Sequence, residues 1–360
     1  MTNQRRATRL RKILAKKKIE SLLVTNILNV RYLSGFTGSS ASLLMLKDKA
    51  LFITDFRYLS QAEEEVTGFK IIKQEKPLGQ TLAKILKGVG LKELGVEEGH
   101  LTHKEFKALE GKLRPVRLIP TSGLVEGLRL KKDRREMAKI RKAASIAVSA
   151  GWQVISNLGQ GLREKDVAAE LEYQLKKRGA RKASFEIIVA SGPRSALPHA
   201  QAKDRRLKEG DLVLIDWGAN FDGYNCDMTR TVAIGRIAKE LERVYRTVLR
   251  SQKKALSLLG PGVKNSTIDK EARAVIKRAG FGKYFDHSLG HGVGLAVHES
   301  PTISRFKRHE VELKAGMVIT IEPGIYLPSS GGVRIEDTVL ITKNGHENLT
   351  EGFPKEMLIL

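Results

Sequence analysis

Four carboxylates and one imidazole stand out for their setting. Asp216 and Asp227 lie in GDLVLIDWGANFDGYNCDMTRTV, His291 in DHSLGHGVGLAVHES, and Glu322 and Glu336 in TIEPGIYLPSSGGVRIEDTVL. Asp216 follows LVLI, Glu322 follows MVITI and Glu336 follows GVRI. A carboxylate in such apolar company is costly unless something pairs with it, and neighbouring carboxylates repel without a shared cation. A metal ion or a general-base role is therefore implied. His199 after Pro198, together with His287, His291 and His298, places four of the eight histidines in two short stretches. Clustered beside carboxylates, they read as ligands or proton-transfer groups.

The elements that would position these groups are hairpins. With Asp222-Gly223 as the two central turn residues, Asp216 faces Thr229 and Gly218 faces Asp227, so both aspartates share one side as diagonal neighbours about 7–8 Å apart. A three-residue loop centred on Ser329 sets Glu322 opposite Glu336, a register that Pro323 and Pro328 can each displace. Gly290, Gly292 and Gly294 argue against a helix around His287 and His291, which still share a face of an extended chain. GHGVG lacks the third glycine of a dinucleotide loop, because Leu295 stands there. Cys226 is a poor nucleophile, since adjacent Asp227 raises its pKa, and no G-x-S-x-G elbow occurs.

The 360 residues suggest two domains. From Glu20 to about Pro120, the runs SLLVT, ASLLML, KALFIT, FKIIKQ and LGVEE read as strands between helical patterns. Arg129 to Leu158 reads as one long helix interrupted only at Gly151 and crossing the domain boundary. The expected division is an α/β domain over 1–128 and a catalytic domain over 129–360.

Composition narrows the function classes. Cys226 is the single cysteine, which excludes an intrachain disulfide and fits a reducing cytoplasm. No apolar run approaches the length of a membrane span, and the Arg-rich opening, which resembles a transit peptide, reads instead as a first helix through Leu10, Ile13 and Leu14. The net charge of +24 invites a nucleic-acid reading, but residues 1–130 contribute +11 and the rest +13, so the excess is spread. With no nucleic-acid motif and 6% aromatic residues, specific nucleic-acid binding is not expected.

Two aspartates, one histidine and two glutamates in this order resemble the pita-bread metallopeptidases, specifically the Xaa-Pro aminopeptidase and proline dipeptidase group. NVRYLSGFTGSS and TDFRY resemble its creatinase-type N-terminal domain. The resemblance implies a dinuclear centre, with Asp227 and Glu336 bridging, Asp216 on one ion, and His291 with Glu322 on the other. It implies that His199, His287, His298 and Arg334 orient substrate, and that Glu322, His199 and His298 act in catalysis. Phe185 departs from the pattern, standing where some longer members carry a tyrosine. Carboxylate-rich ligation puts Mn²⁺ first, with Co²⁺ and Zn²⁺ behind it. The expected activity is hydrolysis of Xaa-Pro bonds at a free N-terminus, with proline-containing peptides as partners. Alternatives are a dipeptidase restricted to Xaa-Pro, and a non-catalytic pita-bread binding protein, which would typically lack ligands. The group commonly forms homodimers, in which Arg57 or Tyr58 would reach a partner's site.

Overall fold

Rich in Leu, Val, Ile and Phe, the five apolar runs form strands: β1 (Leu22–Val24), β2 (Ser42–Met45), β3 (Ala50–Thr54), β4 (Lys70–Lys73) and β5 (Glu93–Glu97). A sixth, β6 (Arg117–Thr121), completes a sheet of order β4-β3-β2-β1-β5-β6. Pairing is antiparallel around β2 and parallel elsewhere. The computed structural model describes residues 2–360, except for the side chain of His309, and divides into two units, Met1–Arg129 and Leu130–Leu360. In the first unit, Leu82, Leu86, Leu109 and Leu113 from helices Leu78–Leu86 and His103–Leu113 share a core with Leu23, Leu44, Ile53 and Val96. The Arg-rich opening is a helix, Asn3–Lys16, that buries Ala7, Leu10 and Leu14. Among the described residues, no helix is long and apolar enough to cross a membrane.

The long helix differs from expectation. It runs Arg134–Ile155, begins at a capping box formed by Asp133 and Glu136, and lies within the second unit. Lys131 and Lys132 precede that cap, so the helical periodicity upstream of it does not continue as one helix. Gly151 is no interruption. A Cβ there would stand 2.4 Å from Trp217 Cζ2, so glycine admits the indole against the helix.

The second unit is built from hairpins faced by two helix pairs. Its strands are β7 (Lys182–Ala183), β8 (Ile188–Ser191), β9 (Leu212–Trp217), β10 (Ala219–Phe221), β11 (Tyr224–Asn225), β12 (Met228–Ala233), β13 (Gly290–Gly292), β14 (Glu299–Ile303), β15 (Val318–Ile321), β16 (Gly324–Leu327), β17 (Gly331–Arg334), β18 (Asp337–Ile341) and β19 (His346–Asn348). They form sheets β12-β9-β8, β11-β10-β7, β14-β13-β15-β18-β19 and β16-β17. Helices Arg134–Ile155 and Glu164–Lys177 share a core with Val189, Ile215 and Val232, while Lys239–Leu256 and Asn265–Arg278 share another with Ile319, Val333 and Val339.

Both hairpin registers set by the turn residues are present. Asp222 (φ 46°) and Gly223 (φ 82°) both take the left-handed conformation that a type I′ turn needs. Asp216 lies opposite Thr229 and Phe221 opposite Tyr224. Between these ladder segments the arms close at Gly218, where a Cβ would stand 2.0 Å from the Cys226 carbonyl oxygen. In the other hairpin, Ser329 takes φ 64°, Leu327 pairs with Gly331, and Gly324 pairs with Arg334. The same register resumes at Ile321 opposite Asp337. Glu322 and Glu336 thus occupy the step between two ladders, where Pro323 interrupts pairing without displacing it.

Candidate metal centre

The two hairpins and β13 bring all five expected ligands to one cavity of about 590 Å³. Asp227, His291 and Glu336 offer ligand atoms within 4.8 Å of one another. His291 Nε2 lies 3.4 Å from Glu322 Oε1 and 3.7 Å from Asp227 Oδ2. Its Nδ1 lies 3.1 Å from the Gly292 carbonyl oxygen, a contact that fits an Nδ1–H donor and leaves the Nε2 lone pair facing the carboxylates. Asp216 is held differently: Arg334 Nη2 donates to its Oδ2 at 2.6 Å.

These carboxylates do not satisfy one another. Asp216 Oδ1, Asp227 Oδ1 and Glu336 Oε1 are buried with no hydrogen-bond partner. An orphaned buried acceptor carries its full desolvation penalty, so the donor set fits a divalent cation. Burial, joined by repulsion from Glu336, Asp216 and Glu322, pushes the Asp227 carboxyl well above the usual range. Glu336 is raised by burial and by Glu322 and Asp216. Burial pushes Glu322 up to about 8. The same burial holds His291 and His287 down to about 4 and lowers His298, so the imidazoles are neutral and able to ligate or donate.

The residues expected around the ligands line this cavity too. His199, His287, His298, Arg334 and Phe185 all face it. The His298 ring stacks edge-on against His291 with centroids 4.2 Å apart. Phe185 carries no hydroxyl, so it contributes no proton relay. Four residues emerge only from the structure. Tyr326 Oη receives Arg334 Nη1 at 2.9 Å and lies 3.0 Å from His287 Nε2. Thr229 Oγ1 donates to Glu336 Oε2 at 2.7 Å and receives Arg334 Nε at 3.0 Å. Thr320 Oγ1 receives the His291 amide at 3.0 Å, and Thr338 Oγ1 receives the Asp227 amide at 3.0 Å. The pairs Asp227/Thr229, Thr320/Glu322 and Glu336/Thr338 are each two apart in sequence. That spacing, which places both members on one face of an extended chain, is the signal that could have found the three threonines; Tyr326 has no such signal. Cys226 is fully buried and its thiol is pushed up to about 12, chiefly by burial, so it is no nucleophile.

Antiparallel hairpins that enclose four carboxylates, a neutral ligand-competent imidazole and orphaned acceptor oxygens define a metallopeptidase-type centre. Residues 138–343 match metallopeptidase family M24, and residues 6–131 match the Creatinase/Prolidase N-terminal domain. The chain is 42% identical over 352 residues to a Bacillus subtilis peptidase, covering 98% of this chain and 99% of that one. It is similar to the solved Xaa-Pro dipeptidase from Bacillus anthracis, with a TM-score of 0.96 and 40% identity over the whole of both chains. The X-Pro aminopeptidase from Thermotoga maritima gives a TM-score of 0.86 at 36% identity, over 95% of this chain and 97% of that one. The chain belongs to metallopeptidase family M24, with the creatinase-type N-terminal domain and pita-bread fold that its motifs implied.

Proposed function

We propose that the protein is a metal-dependent exopeptidase that hydrolyses the bond preceding proline at the free N-terminus of peptides, with the chemistry carried by residues 129–360. The observation that supports this most is the convergence of Asp216, Asp227, His291, Glu322 and Glu336 in one cavity beside three further histidines. In this reading the five hold two divalent ions, Mn²⁺ before Co²⁺ or Zn²⁺. When bound, such ions lower the pKa of a water and polarise the scissile carbonyl. Glu322 takes the water proton on its carboxylate and passes it to the departing proline nitrogen. His298 and His199 donate toward the carbonyl oxygen, and His287, held by Tyr326, shapes the wall against which the substrate lies.

Proline explains the specialisation. Its nitrogen carries no N–H and its ring fixes φ, so a site built for the ring accepts a bond that extended-chain peptidases handle poorly. Peptides longer than two residues are favoured as substrates because, among the described residues lining the cavity, Arg334 is the one Lys or Arg, and Asp216 and Tyr326 engage it. A strict dipeptidase needs a cation for its product carboxylate. The dipeptidase alternative draws its support from the names of several relatives, the Bacillus anthracis and Pyrococcus Xaa-Pro dipeptidases among them. Rates on Xaa-Pro against Xaa-Pro-Xaa, with each metal and with chelator, test the reading: cleavage of both, or of the tripeptide alone, supports it, and cleavage of the dipeptide alone favours the alternative. The reading extends to a homodimer and a cytoplasmic location, in keeping with the family resemblance and the single buried thiol.

A further inference from the structure

A second cavity, of about 600 Å³, lies beside helix Asn265–Arg278. Lys270, Arg273, Lys277, Lys283 and Arg305 line it, and no carboxylate does. Among the described residues, no carboxylate lies within ion-pairing distance of Lys270, Lys277 or Lys283. The acids nearby are already engaged: Asp269 pairs with Arg273 at 2.8 Å, exposed Asp286 pairs with Arg305 at 3.4 Å, and Glu310, close enough to feel the charge of Lys270, pairs with Lys264 at 2.9 Å. Several cations around a concave space of this size suit a compact dianion. A phosphate group can take ammonium and guanidinium donors on several oxygens at once, whereas a single carboxylate uses fewer.

The wall of this cavity is also the back of the metal site. Arg273, largely buried, donates Nε to Asp269, Nη1 to the Phe285 carbonyl at 2.8 Å and Nη2 to the His287 carbonyl. Its guanidinium sits 4.1 Å from the Phe285 ring centroid, and Phe285 meets the His287 ring edge-on at 5.0 Å. His287 then reaches Tyr326 in the site cavity. Four of the five guanidinium N–H groups are committed to Asp269 and these carbonyls. An anion drawing on Arg273 therefore pulls on the segment that sets the His287 position.

We propose that this cavity binds a phosphate-bearing small molecule and that Arg273 transmits its occupancy to His287. Metal-loaded full-length protein is titrated calorimetrically with adenosine 5′-monophosphate and with inorganic phosphate, and acetate serves as the carboxylate control. Saturable 1:1 binding of the phosphates at roughly 1 mM or tighter, with acetate weaker, is expected. Lys277→Glu/Lys283→Glu should weaken it about tenfold or more, while the same charge change at Lys12→Glu/Lys16→Glu should not. Saturation should shift the peptide KM about twofold or more in the parent protein, and the shift should vanish in Arg273→Lys, which retains charge but loses the fork. Absent saturable phosphate binding, equal loss in both double variants, binding competitive with peptide and insensitive to Lys277→Glu/Lys283→Glu, or no KM shift at saturation would each overturn the proposal.

Discussion

Arg334 and Asp216 form a buried ion pair, Nη2 to Oδ2 at 2.6 Å, with side chains 4% and 12% exposed. The same guanidinium donates to Tyr326 and Thr229, so one cation orders the edge of a four-carboxylate cluster. Removing one partner of a buried pair strands the other charge. Arg334→Met is therefore expected to lower the unfolding free energy of the metal-free protein by about 3–5 kcal/mol in urea melts. Arg334→Lys, which keeps the charge but not the fork, should lose less.

Substitutions among the clustered carboxylates should act in the opposite direction. Asp227 and Glu336 each carry an orphaned buried oxygen and repel their neighbours. Asp227→Asn or Glu336→Gln relieves that repulsion. Each should raise the melting temperature of the chelator-treated protein while abolishing its rise on Mn²⁺ addition, measured by scanning calorimetry.

The pH dependence follows from opposed titrations. The histidines held down by burial disfavour the fold only as pH falls below their unfolded value of about 6.5. Carboxyls held up by burial bind more protons folded than unfolded, so stability is full below the unfolded value and lost as pH rises through the folded one. For Glu322 that loss runs through about 8. Between pH of about 6.5 and 8.5 the carboxyls dominate, and the metal-free melting temperature should fall across this window. Mn²⁺ should flatten the curve, and a metal-free melting temperature that rises instead would contradict the assignment.

Tyr326 links Arg334 to His287 without offering a ligand to the three-residue cluster. Tyr326→Phe, which removes the contacts to Arg334 and His287, should leave the bound metal unchanged by elemental analysis and lower kcat/KM about tenfold, a net loss of roughly 1.4 kcal/mol.

The candidate ligands were legible because their chemistry is local: Asp216, Glu322 and Glu336 each follow an apolar run, and Asp222-Gly223 and Ser329 sit where turns must form. Their registers followed from that turn chemistry alone. The threonines were less readable, since a hydroxyl two residues from a candidate ligand is as ordinary in a strand as any other polar residue, and Tyr326, four residues from Glu322, carries no spacing signal at all. Their value arises from cross-strand neighbours. The helix start at Asp133 was missed for a related reason. Periodicity carried the pattern upstream of its cap, whereas the capping box decides where the backbone turns helical. Gly151 misled because its role depends on Trp217, 66 residues away.

Bound metal measured alongside peptide cleavage tests the central claim most directly. Protein stripped with chelator and titrated with Mn²⁺ should regain Xaa-Pro cleavage in step with binding of about two ions per chain, and Asp227→Asn should bind fewer and regain none. Full Xaa-Pro cleavage by the stripped protein, or no Mn²⁺ binding at saturating concentration, would contradict the account.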